Sequence, residues 1–291
     1  MYYVLAVIVC IVWGATFVST KVLLNAGLSP AMVFFLRFLL AYAMMIPLSF
    51  RRMWCDTWRD EFLMVIVGLS GGSLFFLMEN SALLYTQSAN VSFLTSLPPL
   101  FLAIASALRP GGKSSWNIWV GAFVAVLGLA CFVIGADPEV APNPLLGNAI
   151  ALGSTFLWCI YQVVVNPLSA RYGTRFVTRK MFGYGVLTIL PLIITEIPAL
   201  SGKIASIEVW TNLLFLGLVA SWFCYFAWNI VMKRIGSVTS SYFLYLNPFV
   251  TCVAAYVLLG EHVTTYMLLG GVFTISGVYL SLKKFKKPTI C

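Results

Sequence analysis

Apolar run follows apolar run along this chain, and the positive charges collect in alternate gaps between the runs. About 20 apolar residues are enough to carry a helix across the hydrocarbon core of a bilayer. Ten segments qualify: 3–24, 31–50, 62–85, 91–108, 116–135, 145–170, 175–197, 209–235, 240–260 and 265–282. Helix is the conformation they require. A spanning strand needs only about ten alternating residues, whereas these runs are longer and apolar on every side. Charged residues make up 9% of the chain, against about a quarter in a soluble domain. The expectation is an all-α integral membrane protein with ten transmembrane helices.

The cations then set an orientation. Arg51, Arg52 and Arg59 follow the second run, and Arg109 and Lys113 the fourth. Arg171, Arg175, Arg179 and Lys180 follow the sixth, and Lys233 and Arg234 end the eighth. Lys283, Lys284, Lys286 and Lys287 follow the tenth. The other gaps hold Lys203 and the acids Asp137, Glu139, Glu196, Glu208 and Glu261. Cytoplasmic loops collect Lys and Arg, so both termini are expected in the cytoplasm of a multi-pass inner-membrane protein. The +9 net charge is thereby a topology signal, with the basic tail also able to touch anionic lipid. No soluble domain exists to carry a nucleic-acid-binding face. The first run lacks a basic segment before it and a small-residue cleavage site after it, so it reads as a retained helix. The seven cysteines form no Cys-x-x-Cys and lie mostly in apolar runs, where cysteine behaves as a small hydrophobe.

The chain also repeats itself. At an offset of 149 residues, Gly68 falls on Gly217, Asn80 on Asn229, Ser88 on Ser237 and Ser92 on Ser241. Pro99 falls on Pro248, Gly111 on Gly260, Gly121 on Gly270 and Gly128 on Gly277. Nearer the start, Trp13 pairs with Trp158 and Pro47 with Pro191 at slightly shorter offsets. The expected units are 1–137 and 145–287, each of five helices. Five is odd, so the second unit enters from the opposite face and the repeats are inverted. Inverted repeats let two units exchange conformations around a site near the midplane, often built on broken helices. Pro98 and Pro99 in the fourth span, and Pro248 in the ninth, mark such breaks. Each proline frees a carbonyl one turn earlier, and that carbonyl persists at membrane depth only if protein, water or ligand satisfies it.

Ionisable residues inside the spans are few. Lys21, near the end of its helix, reads as a snorkelling cation. Arg37 and Glu79 each lie six or seven residues from the non-cytoplasmic end of their helices, about 9–10 Å deep at 1.5 Å per residue. They are expected close enough to pair. The pair is either structural, or Glu79 is a proton or substrate-amine site. Lys180 is the repeat mate of Arg37, whereas Trp228 stands opposite Glu79. Buried amides, hydroxyls and ring N–H groups need partners and fit a wet cavity. The candidates are Trp13, Thr16, Asn80, Ser92, Thr95 and Ser96 in the first half. In the second they are Trp158, Tyr161, Gln162, Trp222, Tyr225, Trp228, Asn229, Tyr242, Tyr245 and Asn247. Aromatic walls with neutral hydrogen-bonding groups suit a small zwitterion, an aromatic metabolite or a lipophilic cation better than a polyanion. Gly121, Gly128 and Gly135, then Gly270, Gly271 and Gly277, mark the fifth and tenth spans as close-packing peripheral helices.

Other chemistries find little support. The single histidine, His262, lies in a loop and no aspartate lies in a span, which argues against metal, aspartyl or Ser-His catalysis. No metal or cofactor is expected. Gly111-Gly112-Lys113-Ser114 mimics the end of a nucleotide-binding loop but lacks its earlier glycine. A channel, or a scaffold that transports nothing, is the alternative to a carrier. A channel calls for a ring of filter carbonyls or like charges, and none is evident. Several motifs carry a resemblance. Trp13-Gly14-Ala15-Thr16-Phe17 runs to Lys21, then Ser29-Pro30 and Arg37-Phe38. Ala82-Leu83-Leu84-Tyr85-Thr86 leads to Ala89-Asn90-Val91, and Leu259-Gly260-Glu261-His262-Val263-Thr264 forms a later corner. In this order the motifs resemble the drug/metabolite transporter superfamily, EamA branch, over essentially the whole chain. The resemblance implies a ten-helix inverted-repeat carrier with cytoplasmic termini, often an exporter of amino acids or related metabolites. Trp158-Cys159 stands where the second half would echo Trp-Gly. At the family-like corner, Glu261 is expected to cap the tenth helix or hold the loop, with a pH-sensing outer gate as the alternative.

Overall fold

The computed structural model describes residues 1–49, 52–108, 116–137, 141–204 and 206–282. Arg51, Arg109, Gly111, Lys113, Ser114, Glu139 and the tail lysines from Lys283 onward lie outside the described residues. Every regular element among the described residues is helical. Six helices are long and apolar enough to cross a membrane. They are α1 (Tyr2–Asn25), α3 (Trp58–Ala82), α7 (Pro144–Tyr172), α8 (Thr174–Ile193), α9 (Ile207–Ile235) and α10 (Thr239–Leu259). The shorter ones are α2 (Pro30–Met45), α4 (Ser88–Thr95), α5 (Pro98–Leu108), α6 (Trp116–Ile134) and α11 (Thr265–Leu282). The outer surface is apolar, with Ile8, Ile11, Phe123, Val253, Val257 and Val272 all exposed. So large an uncovered apolar surface belongs against lipid, and the chain is a multi-pass membrane protein.

Sequence-local signals explain the ends. Ser29 accepts from the Met32 amide ahead of Pro30 at the first position of α2, and Asn143 caps α7 in the same way before Pro144. Such caps satisfy backbone donors that a helix start leaves open. Segment 31–50 is shorter than expected because α2 stops at Met45, two residues before Pro47. Segment 91–108 is two helices, broken at Ser96 and Leu97 ahead of the Pro98-Pro99 pair.

Two long helices change their winding part-way. In α3, residues Leu69–Ser73 are π-helical, and Gly72 leaves helical geometry altogether (φ −130, ψ −108). In α9, Phe215–Phe223 is π-helical. These segments occupy corresponding places at the 149-residue offset. A π turn re-aims the side chains beyond it and is often found at functional sites.

Helices α6 and α11 pack on each other more extensively than any other pair. A Cβ on Gly277 would sit 2.5 Å from the Gly121 carbonyl oxygen, and one on Gly128 2.6 Å from that of Gly270. Without side chains there, the backbones touch, which is how membrane helices gain contact energy. Gly277→Val should therefore separate the pair at a cost of about 1–3 kcal/mol. Thermal unfolding in detergent would show a lowered midpoint, while Gly202→Ala, whose Cβ meets nothing within 4 Å, would not. Equal midpoints for the two variants would contradict this packing.

Candidate functional site

Between the helices lies a cavity lined by Trp13, Thr16 and Phe17 of α1, Arg37 of α2, and Phe75, Phe76 and Glu79 of α3. Thr95 of α4, Trp158 of α7, Tyr225 of α9 and Leu244 and Asn247 of α10 complete it. Its volume is about 40 Å³. At roughly 10–15 Å³ per water, that is room for a few waters, so a larger occupant would have to push the walls apart.

The walls are aromatic and tightly ordered. Trp13 lies 5.6 Å from Trp158, 5.4 Å from Tyr225 and 5.0 Å from Trp228, centroid to centroid. Its indole Nε1 donates to the Ala220 carbonyl at 3.0 Å. Trp158 packs on Phe75 and Tyr161. Gln162 satisfies both ends of its amide by accepting from Trp158 Nε1 at 2.7 Å and donating to the Ser237 carbonyl at 3.2 Å. Tyr225 donates to the Gly71 carbonyl at 2.9 Å, inside the π-helical stretch of α3.

Charge enters through Arg37 and Glu79, and here the expected pairing does not occur. No ion pair joins them, and among the described residues the Glu79 carboxylate accepts no hydrogen bond. Arg37 instead donates from Nε to Ser221 Oγ at 2.9 Å and lies 4.3 Å over the Phe76 ring. Its Nη1 has no partner, nor has Asn247 Oδ1. Arg37 is 1% exposed and Glu79 7%. The two helices bring both charges to one cavity, where they act on each other through space without a direct ion pair. The cavity thus holds a cation, an anion and an acceptor, each with bonding capacity to spare and each facing the same small space.

The proline-freed carbonyls are met by the protein itself. Pro98 frees the Leu94 carbonyl, which accepts from Thr155 Oγ1 at 3.0 Å. Pro248 frees the Leu244 carbonyl, which accepts from Ser96 Oγ at 2.9 Å. These breaks shape the wall without offering it empty acceptors. Several other sequence candidates are structural partners away from the cavity. Ser92 accepts from Thr251, and Asn80 donates to the Pro30 carbonyl. Tyr161 donates to Asn229 at 2.6 Å, and Asn229 donates to Thr178 at 2.9 Å. Trp222 and Tyr245 are outside the lining, as is Trp228 behind Trp13, and Tyr242 is 37% exposed at the surface. Sequence reasoning missed Phe17, Phe75, Phe76 and Leu244, because a phenylalanine or leucine in an apolar run carries no sign of whether it faces lipid or cavity. It also missed Ser221, the partner of Arg37.

Both ends of the bundle are tied. At the basic end, Lys180 and Tyr184 both donate to Glu61, as does the Cys55 amide. Arg179 donates to the Ser49 and Arg52 carbonyls, and Arg171 pairs with Asp60 at 2.6 Å. The Tyr161–Asn229–Thr178 chain crosses α7, α9 and α8 between this end and the cavity. At the other end, Lys21 does not snorkel. It is buried and pairs with Glu261 at 3.0 Å. Glu261 accepts from the Ser88 amide and hydroxyl at 3.0 and 2.9 Å, so it caps α4. The start of α11 is capped by Thr264, which accepts from the Met267 amide.

A helical, lipid-facing bundle with a polar and aromatic cavity at its core defines a membrane transporter class. The chain belongs to the EamA-like transporter family, whose model matches residues 1–134 and again 145–283. A protein of Archaeoglobus fulgidus named an uncharacterized transporter is 26% identical over 289 residues, covering 97% of each chain. A protein of Streptantibioticus cattleyicolor named a probable terminal-alkyne amino-acid exporter is 28% identical over 283 residues, covering 94% of this chain and 91% of that one. A crystal structure at 18% identity superposes with a TM-score of 0.60, over 97% of this chain and 96% of the other. That likeness shows the shared fold.

Removing one partner of a buried ion pair costs about 3–5 kcal/mol, because the other charge is left unpaired. Glu261→Gln should lower the thermal midpoint in detergent, and adding Lys21→Met to it should restore part of the loss. A double variant less stable than Glu261→Gln alone would argue against the pair.

Proposed function

We propose that this chain is a secondary transporter that exports a small zwitterion, an amino acid or a related metabolite, by alternating access. The observation that carries the reading is the pair of unsatisfied opposite charges, Arg37 and Glu79, on one aromatic-walled cavity. A carboxylate placed against Arg37 would complete its guanidinium with the charge-assisted, bidentate geometry that arginine favours. An ammonium placed between Glu79 and Asn247 Oδ1 would complete those two. An apolar side chain would lie against Trp13, Phe75, Trp158 and Tyr225. A polyanion would leave Glu79 opposed, and a lipophilic cation would leave Arg37 opposed. The amino-acid exporter among the relatives agrees with this chemistry.

The proposed architecture is ten spans in two inverted five-helix repeats, 1–137 and 145–287, in the cell inner membrane with both termini cytoplasmic. Four observations support it. The family model matches twice, once in each half. The π-helical segments of α3 and α9 stand at corresponding positions. Each half has a proline-freed carbonyl satisfied by a hydroxyl. Trp13 and Trp158, mates in the repeat, meet edge to face on the cavity wall. In this scheme Lys21–Glu261 closes the outer side, the Glu61–Lys180 cluster closes the cytoplasmic side, and each opens in turn while the other holds. Glu79 is the coupling residue: its carboxylate takes a proton in one state and the substrate ammonium in the other.

The test is counterflow of labelled amino acids in liposomes holding the purified protein, with and without an imposed proton gradient. Saturable counterflow accelerated by the gradient is the expected result. Glu79→Gln should abolish the acceleration, because a neutral amide cannot exchange the proton. Linear, non-saturating flux would instead favour a channel and remove the alternating-access reading.

A further inference from the structure

The basic end carries a second recess, separate from the central cavity, whose chemistry the transport site does not use. Its volume is about 980 Å³, and it opens where the end of α2, the start of α8 and the end of α9 converge. Four cations border it: Arg52, Arg175, Lys233 and Arg234. Arg52 is engaged by Asp56. The other three have no carboxylate partner among the described residues. Among the described residues Lys233 reaches the Ser169 carbonyl at 3.3 Å, Arg234 lies 5.6 Å from the Tyr2 ring, and Arg175 makes no hydrogen bond or ion pair. Three uncompensated cations brought to one recess form a positive field that favours a bound anion.

The floor identifies the kind of anion. Leu48, Phe226 and Ile230 line it. From there an apolar track continues along α9 through the exposed Phe223 and Val219, and along α2 through the exposed Met44. These two helices pack side by side. The track therefore runs from the cationic rim into the depth of the bilayer. A free phosphate would use the rim and leave the track idle. A lipid with an anionic headgroup would use both, the phosphodiester against the cations and the acyl chains along the track.

We propose that this recess is a binding site for one anionic glycerophospholipid of the leaflet at the basic end. Basic recesses between membrane helices recognise headgroups by the same charge pairing. The bound lipid would join α2, α8 and α9, the helices that carry Arg37, Lys180 and Tyr225. The site rests on the proposed orientation only for the name of the leaflet.

The test is retention of lipid through mild detergent extraction, read by native mass spectrometry. Protein reconstituted in mixed phosphatidylglycerol and phosphatidylcholine should keep one phosphatidylglycerol in preference, and excess inorganic phosphate should not displace it. Arg175→Gln, Lys233→Gln and Arg234→Gln combined should weaken retention on the order of 100-fold, given about a fivefold factor for each cation near the surface. Arg59→Gln, an exposed cation outside the recess, should leave it unchanged. Wild-type protein that keeps phosphatidylcholine equally well would overturn the proposal without any variant. So would displacement by phosphate, or full retention in the triple variant. Accessibility labelling of the two termini is read alongside. If they lie outside the cell, the orientation falls while lipid retention still decides the site.

Discussion

An ionised group in a bilayer must find a partner, a wet space or the headgroup region, because hydrocarbon offers it nothing. This requirement accounts for much of the structure. Lys21, Glu61, Lys180, Asp60 and Arg179 all satisfy it within the protein, and in doing so they tie loops to helices at the two ends. Arg37 and Glu79 satisfy it only in part. Each has been brought to the middle of the bundle, surrounded by aromatic rings and left with unused bonding capacity. Asn229, Tyr161 and Gln162 nearby are consumed by partners within the protein. Unpartnered polar atoms occur elsewhere in the bundle too, at Asn148 and Trp222 among others, but the two charges with spare capacity face one cavity.

The backbone is arranged to permit this. In α3 the Gly71 carbonyl accepts from the Tyr225 hydroxyl, and Glu79, about two turns on, lines the cavity. Gly71 itself lies in the π-helical stretch, which re-aims the residues that follow it. The matching stretch in α9 carries Ser221 and Ala220, which hold Arg37 and Trp13 respectively. Prolines break α4 from α5 and open the wall at Leu244, and hydroxyls from other helices close the freed bonds. Local irregularity at these places is stabilised by partners supplied from distant sequence, which keeps the site ordered though its helices are not regular.

Much of this was legible in the sequence. Hydropathy marks the apolar segments, and the distribution of Arg and Lys marks the basic end. Proline positions locate the breaks, and Arg37 and Glu79 stand out as charges in apolar runs. That both could reach one cavity was readable from their places along the two helices. That Arg37 would donate to Ser221 rather than to Glu79 was not, because a contact between residues so far apart in sequence is encoded by no local pattern. The same limit explains Lys21, read as snorkelling because its partner Glu261 is far away in sequence. It also explains Phe75 and Phe76, whose apolar character is identical whether they face lipid or substrate. Conversely, Tyr242 looked like a site residue because aromatic and polar types cluster in that stretch, yet its side of the helix faces outward.

In the proposed transport cycle the occupant supplies the charges that Arg37 and Glu79 lack. The most direct measurement is a cycle that removes each charge from both sides of the contact. Binding of a transported amino acid and of its methyl ester is compared in wild-type protein and in Arg37→Gln. The N-acetyl derivative is compared in the same way with Glu79→Gln. If the account holds, esterification weakens binding strongly in wild-type protein and hardly at all in Arg37→Gln, and acetylation behaves likewise with Glu79→Gln. Independent, additive losses in both cycles would mean that these residues do not meet the substrate.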